Sequence, residues 1–353
     1  MSRPAACDVL VIGAGPAGSS AARAAARQGA RVTLVDRRRV VGVPVQCAEH
    51  VPAMLLLGEE PDCREAVVQK IRGMRTYVRG ELANETEAPG FIIERDRFDQ
   101  ALAASAERAG ATLLTSTTAV AWDGEEVILR QRGGTTLTLA PDVIVAADGP
   151  RSTAAAWCGI GRPRVIPAVQ ARVRLVEKMD FAEVYLHPDF RGGYAWLFPR
   201  GEFANAGLGF LSPSRPVKLS VALRRFLQEL QDRERIAGPP LAHSAGWIPA
   251  TSVSTCVHQN LVLAGDAAGQ THPITGAGML GAMSCGRLAG KWAATALQAG
   301  DMRLLRKYDD EWRELLGDMF EHGAGKRRYM EAHWDDFDAT VQSCWVSFDA
   351  YHD

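Results

Sequence analysis

Apolar and polar positions change their rhythm three times along this chain. From Cys7 the residues read CDVLVIGAGPAGSSAARAAARQGARVTLVDR. Asp8 to Ile12 is an unbroken apolar run suited to a strand buried on both faces. An alanine-rich segment to Gln28 predicts a helix stopped at Gly29, and Arg31 to Val35 predicts a second buried strand ending at Asp36. Similar strands recur at VIVAADGPRS, Val143 to Ser152, and at NLVLAGDAAGQTHPITGAGMLGAM, Asn260 to Met283, each running into a glycine-containing loop. Between them the period changes to alternation. Val169 to Val176 and Phe181 to Pro188 read as half-buried strands, and Arg191 to Phe210 as two more about a turn at Pro199 to Gly201. Leu219, Leu223, Phe226 and Leu230 then recur at helical spacing, as expected of a helix packed on that sheet. The pattern predicts an α/β protein. A Rossmann-like dinucleotide-binding domain comes from residues 1–160 and 257–300, an inserted antiparallel β-sheet lobe from 161–256, and a helical C-terminal tail from 301–353.

The glycines say what the first unit binds. Gly13, Gly15 and Gly18 stand at G-x-G-x-x-G spacing between a strand and a helix, with Pro16 where a first helical turn tolerates a missing N–H. Gly13 makes the tight turn, Gly15 lets the backbone approach a pyrophosphate, and Gly18 lets helix and strand close up. The helix start favours anionic phosphates. Asp36 can accept from both ribose hydroxyls, and its charge opposes a 2′-phosphate.

Composition removes several classes of function. Across 353 residues, Lys+Arg 40 nearly balances Asp+Glu 41, so no basic footprint for nucleic acid exists. No apolar run is long enough to cross a bilayer and no signal-peptide cleavage region follows the first strand, so a cytoplasmic protein is expected, with peripheral membrane contact left open. Cys7, Cys47, Cys63, Cys158, Cys256, Cys285 and Cys344 are scattered and odd in number, which argues for reduced thiols and against a metal site or disulfide framework.

Three motifs in this order, the glycine fingerprint, Asp148-Gly149 and Gly265-Asp266, resemble FAD enzymes built like para-hydroxybenzoate hydroxylase. The resemblance implies FAD as cofactor, with Asp266 on its ribityl or pyrophosphate part. Asp148 would line the same site, and Gly276 and Gly278 would precede a helix aimed at the flavin ring. FIIERDRFDQAL, Phe91 to Leu102, is similar to the Arg-x-x-Phe-Asp element of these proteins, which puts Arg95 within reach of flavin phosphates. A narrower resemblance is carried by Tyr194-x-Trp196-x-Phe198-Pro199, followed after seven residues by Gly207-x-Gly209, and by VGVPVQCAEH with Gly42, Pro44, Cys47 and Glu49. Both resemble signatures of the geranylgeranyl reductase family, whose members saturate isoprenoid double bonds with reduced FAD. This implies hydride transfer to a C=C bond of an apolar substrate, Tyr194, Trp196 and Phe198 as substrate wall, Cys47 as a thiol beside the flavin, and Glu49 as a cofactor-side acceptor. Because they alternate in a strand, the three aromatics share one face.

Three departures from the family pattern keep a second reading in play. Ala48 replaces a glycine after Cys47, the loop after Asp266 brings in His272 as a candidate catalytic imidazole near the flavin, and the short polar-aromatic tail offers little to hold a long prenyl chain. The alternative is an FAD monooxygenase hydroxylating an aromatic ring, including a tryptophan side chain of a partner protein during quinone-cofactor maturation. The lysine-bearing signature of the related halogenases is absent. With no second glycine fingerprint, the electron donor is either NAD(P)H bound transiently or a ferredoxin-like carrier.

Overall fold

The computed structural model describes residues 5–56, 61–211 and 218–353. One sheet carries the dinucleotide unit. Its strands run in the order Val257–His258, Leu261–Leu263, Thr136–Ala146, Ala5–Ile12, Val32–Val35, Thr112–Leu114. Ala5–Ile12 lies parallel between Val32–Val35 and Thr136–Ala146. Both of its faces are therefore covered, and Val9, Leu10 and Val11 are fully buried. The helix Pro16–Arg27 follows it and ends as expected, with Gly29 at φ +87°.

The fingerprint helix packs against a second long helix, Met279–Ala299. Contact is made through glycines: a Cβ on Gly286 would strike the Ala17 carbonyl, and one on Gly290 the Ala21 carbonyl. Backbones this close leave no room for larger side chains, so the first half of the fingerprint helix is held against the middle of the second helix.

The second sheet has the order Ile236–Pro249, Val165–Leu175, Phe203–Gly209, Tyr194–Arg200, Phe181–Leu186, Val67–Val78, Glu81–Ile93, His50–Pro52. Two expectations change here. Residues 50–93, assigned from sequence to the dinucleotide unit, form three strands of this second sheet, because the Val67–Val78 and Glu81–Ile93 hairpin extends it past Phe181–Leu186. That junction is parallel, so the sheet is not wholly antiparallel. The helix Leu219–Asp232 buries Leu223, Phe226 and Leu230 on one face of the sheet. The opposite face receives the C-terminal segment.

The tail is helical, as expected, with Arg306–Ala332 and Phe337–Cys344. It is not a bystander to the sheet. Trp334, Phe337, Trp345, Phe348 and Tyr351 share one buried cluster with Val184, Trp196 and Phe198. Apolar burial of this size holds a segment that its polar residues alone would not.

Candidate flavin and substrate site

Local geometry makes the fingerprint loop a cradle. Gly13 sits at φ +100°, and a Cβ on Gly18 would land on the Gly13 carbonyl oxygen. Above Gly15, apart from its own stretch of chain, no described residue comes within 4 Å of where a Cβ would stand. The helix begins at Pro16 without a side-chain cap among the described residues, so its first N–H groups and positive dipole end face that open side. Asp36 braces the loop: Oδ2 accepts from the Ala14 N–H at 2.8 Å and Oδ1 from the Arg38 N–H at 2.7 Å.

Two further carboxylates line the cradle. Asp148 accepts from the Thr153 N–H at 2.7 Å through Oδ2, while its Oδ1 is buried without a partner among the described residues. Asp266 accepts from Thr271 Oγ1 at 2.8 Å, and burial raises its pKa above the ordinary carboxylate value. Gly278 lets these groups converge, since a Cβ there would be 2.9 Å from Thr271 Oγ1 and 3.3 Å from Asp266 Oδ1. Gly276, at φ +69°, turns the loop against Ile248. The helix Met279–Ala299 then starts without a side-chain cap among the described residues. An open glycine, an orphaned carboxylate oxygen and two uncapped helix starts suit a dinucleotide with a pyrophosphate and hydroxyl-rich linker.

Tyr194, Trp196 and Phe198 stand on one face of their strand. Their ring centroids are 5.8 Å and 6.3 Å apart, and all three are largely buried. The Tyr194 hydroxyl donates to the Thr275 carbonyl in the loop before Gly276. Burial pushes that phenol up to about 12, so it stays protonated and able to donate. Trp345 of the tail meets Tyr194 edge-on at 5.0 Å.

Beside this wall, Cys47 is half-buried, with Sγ accepting from the Glu49 N–H at 3.2 Å. Glu49 itself departs from expectation. Its carboxylate accepts from the Arg95 N–H at 3.2 Å, Arg172 Nη2 at 2.8 Å and Asn205 Nδ2 at 2.9 Å, and its backbone sits at φ +69°. This is a buried hub tying the cysteine loop to the second sheet, not a cofactor-side acceptor.

Arg95 is likewise committed. Its guanidinium binds Asp99 at 2.8 Å and 3.2 Å, where sequence alone suggested reach toward phosphates. Burial opposes its charge, but Asp99 and the adjacent Cys47 sulfur outweigh burial and hold its pKa above the ordinary value.

His272 does not stand free as a catalytic base. Its Nδ1 accepts from the Thr275 N–H at 3.2 Å, which leaves the hydrogen on Nε2 to donate to Tyr351 Oη at 3.1 Å. Burial, with Arg327 and His322 nearby, lowers its pKa to about 4. Both nitrogens are occupied, Nδ1 within the loop and Nε2 in latching the tail to it. Arg172, Asn205, Gln170 and Tyr351 escaped the sequence reading because each acts through a partner far away in the chain.

Fold and cradle together define a flavin-dependent oxidoreductase with a separate aromatic wall. Residues 6–321 match the FAD binding domain family. A digeranylgeranylglycerophospholipid reductase of Methanothrix thermoacetophila is 36% identical, the match covering 88% of this chain and 84% of that protein. The solved structure of a geranylgeranyl bacteriochlorophyll reductase-like protein from Thermoplasma acidophilum superposes with a TM-score of 0.84 at 26% identity, covering 98% of this chain and 92% of that one. PqsL of Pseudomonas aeruginosa, solved with 2-aminobenzoylacetate, superposes with a TM-score of 0.72 at 20% identity over 95% of this chain and 99% of that one, and shares the fold alone. The chain belongs to the geranylgeranyl reductase-like family of FAD-dependent oxidoreductases, and FAD is its cofactor. Among the described residues, no helix is long and apolar enough to cross a membrane.

Proposed function

We propose that this protein saturates C=C bonds of an apolar, isoprenoid-type substrate. The observation that carries the reading is the aromatic wall Tyr194–Trp196–Phe198 set between the Cys47 loop and the loop before the helix Met279–Ala299. The names of the similar reductases point the same way. When bound and reduced, FAD supplies the hydride; Gly13, Gly15, Gly18, Asp36, Asp148, Asp266 and Gly278 would hold it. The wall excludes water and orients the chain by apolar contact. Cys47 Sγ accepts from Glu49, which leaves the S–H free to offer a proton toward the wall. Arg95 and Asp99, as a buried pair, hold the segment behind the thiol.

Anaerobic mixing of the reduced protein with a polyprenyl substrate tests this. Return of the oxidised flavin spectrum with a product heavier by two hydrogens supports reduction. Turnover only on admitting O₂, with an oxygen atom in the product, overturns it in favour of aromatic hydroxylation. Cys47→Ser should retain FAD and lower turnover or change the product pattern, read by mass spectrometry; unchanged turnover and products would remove the thiol from the proposal.

A further inference from the structure

The apolar wall contains a polar pair that nothing among the described residues satisfies. Gln170, Gly207 and Trp196 lie directly opposite one another on three neighbouring strands, Val165–Leu175, Phe203–Gly209 and Tyr194–Arg200. Gly207 leaves the space between them open to side chains. A Cβ there would be 2.6 Å from the indole Cε2 of Trp196 and 2.6 Å from the Gln170 Cβ. The indole therefore lies across the glycine, toward Gln170.

Gln170 Nε2 donates to the Cys47 carbonyl at 2.8 Å and contacts Ser244 Oγ at 3.2 Å. A carbonyl only accepts, so the amide is oriented with its nitrogen toward Cys47, leaving Oε1 as a bare acceptor. Gln170 Oε1 and Trp196 Nε1 are both buried, and neither has a partner among the described residues. Trp196 as a whole is 5% exposed. Leaving such groups unpaired is costly, and here one is a donor and the other an acceptor on the same stretch of wall.

From this we infer that the substrate carries a free hydroxyl, which accepts from Trp196 Nε1–H and donates to Gln170 Oε1. The inference rests on the reading of the wall as the substrate surface. An ether oxygen satisfies the indole but leaves the amide oxygen bare, a carboxylate meets the amide oxygen with like polarity, and a hydrocarbon satisfies neither. Among these substrate groups only the hydroxyl completes both bonds. Gln170 also touches the Cys47 segment, so the polar end of the chain would be registered against the thiol loop.

The test is titration of the oxidised holoprotein with a polyprenyl alcohol, its methyl ether and the hydrocarbon of equal chain length, followed by perturbation of the flavin spectrum. The alcohol is expected to bind about tenfold more tightly than either analogue. Trp196→Phe and Gln170→Leu should each bring that ratio close to one while FAD is retained. A wild-type ratio near one overturns the inference, as does a ratio that survives both substitutions or a weakening of all three ligands by the same factor. Should Gln170→Leu lose FAD, Trp196→Phe, which removes the N–H and keeps an aromatic ring on the wall, decides; should both lose it, the wild-type ratio decides. If none of the three ligands disturbs the flavin, the substrate reading of the wall has failed and the inference falls with it.

Discussion

Single residues here are constrained either by the space left open beside the backbone or by a saturated set of partners. Gly15 belongs to the first kind, and the empty space above it is what the cofactor needs. Gly15→Leu should fill that space and give a folded, colourless protein, checked by flavin absorbance against unchanged circular dichroism. Glu49 belongs to the second. A buried residue at φ +69° stores strain of about 1–3 kcal/mol, and the bonds to Arg172, Asn205 and the Arg95 N–H offset it. Glu49→Gln removes the charge that pairs Arg172 and should cost about 1–3 kcal/mol, read from the midpoint of urea unfolding. Glu49 and Gly42 stood together in one sequence signature, yet only contacts from the second sheet reveal that Glu49 serves the scaffold. Its partners Arg172 and Asn205 are more than a hundred residues away, and no local pattern announces them.

At the scale of elements, the cofactor cradle depends on two helices meeting where Gly286 and Gly290 of one face Ala17 and Ala21 of the other. Gly286→Val would drive a side chain into the Ala17 carbonyl and push the helix Met279–Ala299 off the helix Pro16–Arg27. The expected result is weaker FAD retention together with a lower melting temperature, measured by fluorescence of released flavin during thermal unfolding. Both helices were legible in the sequence, because alanine-rich propensity and glycine stops are local signals. Their contact was not, since the closeness of Gly286 to Ala17 becomes visible only when the chain is folded. The strands of residues 50–93 show the same limit. Their half-exposed alternation is weak, and pairing with Phe181–Leu186 decides their sheet.

For the whole molecule, the tail packs against both the dinucleotide core and the second sheet, and His50 and His272 are imidazoles that folding desolvates. Burial lowers both His50 and His272 to about 4 from 6.5. Below pH 6.5 the unfolded chain takes up protons that the folded protein refuses until about pH 4. Their contribution to stability is therefore full above pH 6.5 and falls between 6.5 and 4, by up to about 1.4 kcal/mol per pH unit for each histidine. Thermal melts across this range should show the decline, and His272→Gln should flatten its slope; an identical slope in the variant would show that His272 does not contribute. By itself the sequence determined the dinucleotide cradle, the aromatic wall and the helical nature of the tail, since glycine spacing, strand alternation and helix propensity act within a few residues. Only the tertiary structure decided that residues 50–93 join the second sheet, that the tail covers the aromatic wall, that His272 latches it and that Gln170 lies level with Trp196. Each of these is a meeting of segments distant in the chain, settled by which buried surfaces and hydrogen-bonding groups must satisfy one another.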